Sequence, residues 1–490
     1  MPSPSFDLRL PRRAQATGQP APLPLVTLQP RQWQVQLIQL LRRRLELGGS
    51  ADVLINAGPG AGKTLGALLS FERLLREGRL QRFLVFCHRS SIASQWIASC
   101  ERLQLKLQEW QPGLSGADLQ DQHGLLITYQ AAGRNLESLQ AQLQGWGWGP
   151  WLAIADEVHH LGLDPEEPEA TAWGHAFSQL SQRATLRLGL TGTPFRADNL
   201  GFCAARRIQV RDGQDWVEQI APDLSVEPRE LIAAGDVRPL EFRFQDGWVD
   251  HSRQGELGDA ERSPLSQEQR ESWRARNLRR AIRLGDSSSI ALRLLLNARK
   301  RLETVRQDHP QAGGLVVARD IAHARRICGL LEEEGDRVQL VHSQDPEAPQ
   351  RMEAFKRGES DWLVSIDMCA EGFDAPRLRV VAYLTTVTTR TRFVQAITRA
   401  VRMNGQRAEQ ESIPRHPSYV FAPADPLLMQ YARTWSLSEP YVLRPRPSES
   451  PEEPSGAGRG GTIPLQAVED GAGDVIRLRG PALPNFLVQQ

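Results

Sequence analysis

Three glycines, a lysine and a threonine stand within eight residues, Ala57-Gly58-Pro59-Gly60-Ala61-Gly62-Lys63-Thr64, directly behind the apolar run VLINA and directly ahead of an apolar helical pattern. Strand, glycine-rich loop and helix in that order make the cradle that a phosphate chain requires. Glycines let backbone N–H groups converge on the oxygens, and the helix N-terminus adds its dipole. Lys63 is placed to meet the β- and γ-phosphates as a point charge and the Thr64 hydroxyl to hold Mg²⁺, so the pattern points to ATP with magnesium. A glycine-rich surface turn is the bland alternative, and the flanking strand and helix weigh against it.

A second chemical pair follows at Asp156-Glu157, directly after the apolar run Trp151 to Ala155. Two adjacent carboxylates at the carboxyl end of a strand lie where ligand sites of α/β sheets form. Asp156 can serve the magnesium shell, and Glu157 can orient and deprotonate an attacking water. Alone, such a pair would read as solvated loop charge; behind a phosphate loop it completes a site. His159 and His160 come next, but no further His/Cys cluster is near, so coupling or packing is expected of them rather than zinc.

The elements that must position these residues are legible as alternation. Short apolar runs at 53–57, 83–87 and 124–128 alternate with helical patterns starting at Lys63 and Ser90, and the alternation resumes with runs at 314–318, 338–342, 362–366 and 379–384 and a helix from Asp320. That is the signature of parallel α/β architecture in two units, as expected for 490 residues, which exceed what one core usually serves. The expected organisation is a disordered tail over 1–27, a first domain over 28–215, a second over 216–435 with a loop-rich insertion at about 246–285, and a flexible Pro/Gly-rich tail over 436–490.

Composition limits the partners. A net charge of +1 supplies no global field for a polyanion, so nucleic-acid binding would have to come from local patches. Lysine occurs only at Lys63, Lys106, Lys300 and Lys356, which makes the one inside the glycine loop conspicuous. The five cysteines form no CxxC pair, arguing against zinc ribbons, iron–sulfur clusters and disulfide frameworks. With no run of eighteen apolar residues, a soluble, cytoplasmic protein without a membrane partner is expected.

With the phosphate loop and DEVHH in view, the chain resembles superfamily 2 helicases and translocases of the DEAD/DEAH-like, DExH-box kind, in which these are motifs I and II. The resemblance extends to Arg31-Gln32-Trp33-Gln34, which looks like the adenine-reading element, with Gln34 as the base-specific residue. The segment HRSSIASQW, carrying Arg89, and Thr128-Tyr129-Gln130 sit where the family's nucleic-acid-facing segments lie. Leu190-Thr191-Gly192-Thr193-Pro194 resembles motif III, which couples hydrolysis to the nucleic-acid surface; the family more often has Ala at Gly192, a sterically mild difference. SIDMCAEGFDAP resembles motif V, implying contacts to ribose and strand backbone from Glu371, Gly372 and Asp374. The run Arg390 to Arg402 resembles motif VI, with Gln395 facing ATP and Arg399 and Arg402, three apart on one helix face, as arginine fingers; the family usually has Gly at Thr398.

What the resemblance implies is two tandem RecA-like domains whose cleft hydrolyses ATP while the protein moves on or unwinds nucleic acid, DNA in preference to RNA. A nucleic-acid-stimulated ATPase switch shares every motif. So does the motor subunit of a restriction or defence complex, which would need a partner such as a nuclease subunit, since no nuclease carboxylate cluster is apparent here.

Overall fold

The computed structural model describes residues 29–48, 50–88, 90–144, 149–158, 161, 170–192, 206–212, 215–253, 261–268, 271–285, 289–366, 373–403, 411–435, 441–443 and 465–479. Apolar runs of four to seven residues, too short for helices and bounded by polar residues, become parallel strands buried on both faces. Trp151–Asp156 and Leu378–Leu384 are buried along their whole length. Alternate residues feed opposite layers: Phe83, Val85 and Cys87 join one core, Leu84 and Phe86 the other.

The first sheet is seven-stranded and parallel, in the order Leu107–Glu109, Gly124–Thr128, Arg82–Cys87, Trp151–Asp156, Leu186–Thr191, Asp52–Ala57 and Leu224–Val226. The strands expected from the apolar runs are in place. The last strand corrects the expected division at 215/216. Leu224–Val226 pairs with Ile55 to Ala57, so the first unit reaches past residue 215 and the second sheet begins at Leu240.

The second sheet has eight strands: seven in the order Glu261–Pro264, Leu240–Arg253, Ser418–Pro423, Leu378–Leu384, Gly313–Ala318, Trp362–Ser365 and Val338–Val341, and Leu465–Arg479 beside Leu240–Arg253; pairing is parallel except where Leu240–Arg253 meets Glu261–Pro264 and Leu465–Arg479. Two tandem α/β units of the expected kind result, joined by one apolar cluster running from Ile55 and Val226 through Leu231 and Val237 to Phe242 and Val381.

Two expectations about irregular segments fail. The stretch 246–285 is not loop-rich among its described residues: it holds the end of strand Leu240–Arg253, strand Glu261–Pro264 and helix Glu271–Ala281. The region 436–490 contributes two strands. Tyr441–Leu443 closes a small antiparallel sheet with Asp215–Ala221 and Arg206–Asp212, and Leu465–Arg479 pairs antiparallel with Leu240–Arg253. The physical reason visible in the sequence is the short alternation Ile476-Arg477-Leu478-Arg479, which puts Ile476 and Leu478 against the core beneath a Pro/Gly-rich average composition.

Candidate active site

Strand Asp52–Ala57 delivers the glycine loop, and helix Lys63–Arg76 leaves it. Gly60 and Gly62 both adopt φ +79°, a left-handed conformation that glycine takes without penalty. At Gly60 a Cβ would also lie 2.9 Å from Val237 Cγ1 and 3.7 Å from Arg402 Cγ, so the loop is pressed against the second unit.

Helix Gln32–Leu47 holds the loop from the other side through its carbonyls. Arg31 Nη1 donates to Gly60 O (2.6 Å), Trp33 Nε1 to Ala61 O (3.0 Å) and Gln34 Nε2 to Gly62 O (3.1 Å). Gln34 Oε1 accepts from the Arg31 backbone N–H at 2.9 Å, and Gln34 is buried. Each end of its amide thus holds one bond inside the chain, which places Gln34 directly against the glycine loop. Arg31, Trp33 and Trp96 stand inside recognisable segments, yet no role followed from the residues alone. A buried indole N–H must find an acceptor, and that requirement is the signal that could have singled out the tryptophans.

The carboxylate pair forms the floor. Asp156 ends strand Trp151–Asp156 and is buried; Trp96 Nε1 donates to its Oδ2 at 2.9 Å, and Tyr129 Oη donates to its backbone carbonyl at 2.8 Å. Burial, then the neighbouring Glu157 charge, push the Asp156 carboxyl above its ordinary range, opposed by Lys63 and the Trp96 bond. Burial likewise drives the Tyr129 phenol well up, with Asp156 next, so it remains a neutral donor. Glu157 sits at φ +51°, unusual for a residue with a side chain. Its Oε1 is 3.0 Å from Lys63 Nζ, and the Gly192 backbone N–H donates to its Oε2 at 3.3 Å. Lys63 Nζ also reaches Ala57 O at 3.4 Å. Gly192 is less neutral sterically than expected: a Cβ there would lie 2.6 Å from Lys63 Nζ and 3.2 Å from Ala57 O.

The opposite wall comes from the second unit. Asp374, Gln395, Thr398, Arg399 and Arg402 line the same cleft, of about 400 Å³, as the glycine loop, Asp156 and Glu157. The two arginines do not share an α-helical face, because helix Arg390–Ile397 stops and a 3₁₀ turn, Thr398–Val401, carries the chain on. Thr398 Oγ1 donates to Val394 O at 2.6 Å, so the hydroxyl is satisfied locally where the family usually has Gly. Both arginines nevertheless line the cleft, Arg399 from within the 3₁₀ turn and Arg402 just past it, where the backbone is extended.

Arg399 Nη1 donates to Phe373 O (2.8 Å), and Arg402 Nη1 pairs with Asp374 Oδ1 (3.0 Å). Asp374, expected near a ribose, is therefore an ion-pair partner here. Gln395 Oε1 and Arg402 Nε are buried with no hydrogen-bond partner among the described residues. The open Arg402 Nε–H beside a glycine cradle and a lysine fits a polyphosphate, whereas the Gln395 amide oxygen, an acceptor, suits a donor such as water; Thr64 with Asp156 supplies the hard oxygens that Mg²⁺ prefers.

The coupling residues are placed less fully. Arg89, His159, Thr193, Glu371 and Gly372 lie outside the described residues. Thr191 is buried at the end of strand Leu186–Thr191. Thr128 caps helix Tyr129–Arg134, its hydroxyl accepting from Ala131 N at 3.2 Å, while Trp96 and Tyr129 turn inward to Asp156 instead of facing outward.

Residues 27–196 match a family model described as type III restriction enzyme, res subunit, and residues 297–404 match one described as helicase conserved C-terminal domain. An uncharacterised protein of Mycobacterium leprae is 30% identical over 416 residues, covering 83% of this chain and 64% of that one. An uncharacterised protein of Mycobacterium tuberculosis is 30% identical over 413 residues, with 82% and 63% covered. The chain thus spans less than two thirds of the length of these relatives. Among solved structures, the ATP-dependent type ISP restriction-modification enzyme LlaBIII bound to DNA aligns over 80% of this chain and 27% of that one, with TM-score 0.49 and 14% identity. Among the described residues, no helix is long and apolar enough to cross a membrane.

Proposed function

From the premise that the chain is a superfamily 2 helicase-like protein, we propose that it is an ATP-hydrolysing motor that moves on or unwinds nucleic acid, with DNA as its track. The observation that carries this reading is that Lys63, Asp156 and Glu157 of one unit and Arg399 and Arg402 of the other line a single cleft. Chemistry at such a cleft responds to how closely the units approach, which is what coupling to movement needs.

In this reading the glycine loop and Lys63 bind the phosphate chain, with Arg31, Trp33 and Gln34 keeping the loop carbonyls turned away. Thr64 and Asp156 would hold Mg²⁺, which supplies charge neutralisation between phosphate oxygens. Glu157 orients a water and accepts its proton once Lys63 has moved to the phosphates. Arg399 and Arg402 stabilise charge developing on the γ-phosphate as the units close. Gln395 lies beside them on the same wall.

The restriction-enzyme description of the first family match favours DNA over RNA and keeps a second reading in play, a motor subunit paired with a nuclease. ATPase rate measured with no nucleic acid, single-stranded DNA, duplex DNA and RNA in parallel tests the track; equal rates in all four would sink the motor reading. Strand displacement against triplex displacement separates unwinding from translocation, and co-purification of a nuclease would favour the second reading.

A further inference from the structure

We infer that a basic cavity at the edge of the second sheet binds a phosphate-bearing anion, at a site separate from the ATP cleft. The cavity holds about 200 Å³ and is lined by Arg243, Lys300, Arg301 and Arg477, with Asn297 and Phe421 among its other walls. It shares no lining residue with the cleft around Lys63.

The local structure concentrates charge there in a way that folding alone does not favour. Arg243 and Arg477 are register partners across the antiparallel ladder between Leu240–Arg253 and Leu465–Arg479. Directly opposed side chains share a face, and like charges so placed repel. Helix Ile290–Asp308 lays Asn297, Lys300, Arg301 and Thr304 over the same spot, at spacings that share one helical face. Arg243 bonds Glu241 Oε1 at 3.0 and 2.8 Å. No ion pair to a carboxylate is found among the described residues for Lys300, Arg301 or Arg477, whereas Arg299 and Arg306 on the same helix pair with Asp336 and Asp361.

The aromatic residues orient the cations. Arg301 lies 4.7 Å and Arg243 5.3 Å from the Tyr419 ring centroid, so one ring supports two guanidinium groups. A guanidinium held by its face keeps its N–H edge for acceptors; the Arg301 edge, with no carboxylate partner among the described residues, matches phosphate oxygens, whereas Arg243 already directs Nε and Nη2 at Glu241 and adds charge beside it. Phosphate could come from a nucleic-acid backbone or from a free polyphosphate, and the chemistry of recognition is shared. Since Arg477 arrives on the C-terminal strand, ligand binding should also stabilise the docking of that strand.

Hydrogen exchange of the full chain, read in peptides from 465–479 and 290–308, provides the test, with inorganic pyrophosphate or a duplex oligonucleotide added. The glycine-loop peptide reports the ATP cleft separately. Exchange in both edge peptides is expected to slow severalfold with at least one of the probes in the parent and to stay unchanged in a Lys300→Gln/Arg477→Gln variant. Protection by pyrophosphate alone identifies a free phosphate source, and protection by the oligonucleotide identifies a backbone contact. For a backbone contact, the slope of log affinity against log salt should also fall by about 1 to 2 in the variant. ATPase without nucleic acid should not change. If the double variant fails to fold, Lys300→Arg/Arg477→Lys retains the charges and should retain protection. Absence of edge protection with both probes in the parent overturns the inference, whatever the outcome at the ATP cleft.

Discussion

Lys63 Nζ lies 3.0 Å from Glu157 Oε1, so the cation proposed to hold phosphate and the carboxylate proposed to activate water neutralise each other across the cleft floor. On the proposed mechanism, nucleotide parts them before either acts. Lys63→Ala should abolish ATP hydrolysis, because a methyl cannot replace the ammonium; a loss of only a few-fold would sink the phosphate-loop assignment. Glu157→Gln should stop turnover yet preserve nucleotide binding, since the amide keeps shape without basicity. Binding titrations and single-turnover hydrolysis on both variants check this.

Two glycines near that pair should respond differently to alanine. A Cβ on Gly66 would meet the buried Trp33 ring at 2.6 Å, whereas one on Gly192 would meet the movable end of Lys63 at 2.6 Å. Gly66→Ala gains helix propensity of about 1 kcal/mol but overpacks a rigid ring at about 1–3 kcal/mol, and it displaces the Trp33 bond to Ala61 O. Reduced stability and weaker nucleotide binding are expected. Gly192→Ala should cost less stability than Gly66→Ala, its one backbone contact being Ala57 O at 3.2 Å, while separating Lys63 from Glu157. Chemical denaturation of the two variants in the reverse order would contradict this account of the loop.

Strand positions were legible because each apolar run is bounded by polar residues and buried on both faces, as Trp151–Asp156 shows. The chemistry was legible where spacing is fixed by backbone geometry, as from Gly58 to Thr64 or at Asp156-Glu157. What could not be read were partners distant in the chain. Nothing in HRSSIASQW says that Trp96 bonds Asp156, sixty residues on, and nothing around Asp374 says that it pairs with Arg402. The C-terminal strand was hidden for a different reason: average composition over 436–490 conceals a short alternation at Ile476 to Arg479, the end of strand Leu465–Arg479.

That strand makes truncation informative. Removing residues 436–490 would strip Leu465–Arg479 from Leu240–Arg253 and uncover a sheet edge together with Phe242 and Phe244. Lower denaturation midpoints and concentration-dependent aggregation are expected, in contrast to what a free tail would give. Unaltered light scattering and unfolding curves would show that the strand contributes little.

Acid should act through the Arg238–Glu411 pair. Arg238 is fully buried and donates to Glu411 Oε1 and Oε2 at 2.5 and 2.6 Å. Burial would raise the Glu411 carboxyl, but the Arg238 bonds and the His416 backbone N–H outweigh it and hold the value at about 2. A carboxyl lowered on folding contributes its full stabilisation above its unfolded pKa, near 4.3 by the usual reference, and loses it as pH falls toward the folded value. Glu411→Gln leaves a buried guanidinium without its counter-charge and should cost about 3–5 kcal/mol at neutral pH. Urea unfolding at pH 7 and pH 3 should show the gap between parent and variant narrowing in acid; a constant gap would mean that ionisation of Glu411 is not what holds the pair.

Arg399 and Arg402 should matter for hydrolysis far more than for nucleotide binding, because both belong to the second unit while the glycine loop and Lys63, in the first, supply the ground-state contacts. Their present bonds sharpen the expectation. Arg402 is held by Asp374, so it must exchange one anion for another as charge develops on the γ-phosphate. Arg399 is anchored through Nη1 to Phe373 O, and its position depends on the segment leading to Asp374. Lysine at either site keeps the charge and loses the planar fork, so a fall in kcat of roughly ten- to a thousandfold is expected, with nucleotide affinity within a few-fold. Asp374→Asn offers a complementary reading: it releases Arg402 without altering it, so turnover should survive far better than in Arg402→Lys. If both lysine variants hydrolysed ATP at the parent rate with nucleic acid present, these arginines would be wall charges only, and closure of the cleft would have to recruit a different cation to the γ-phosphate.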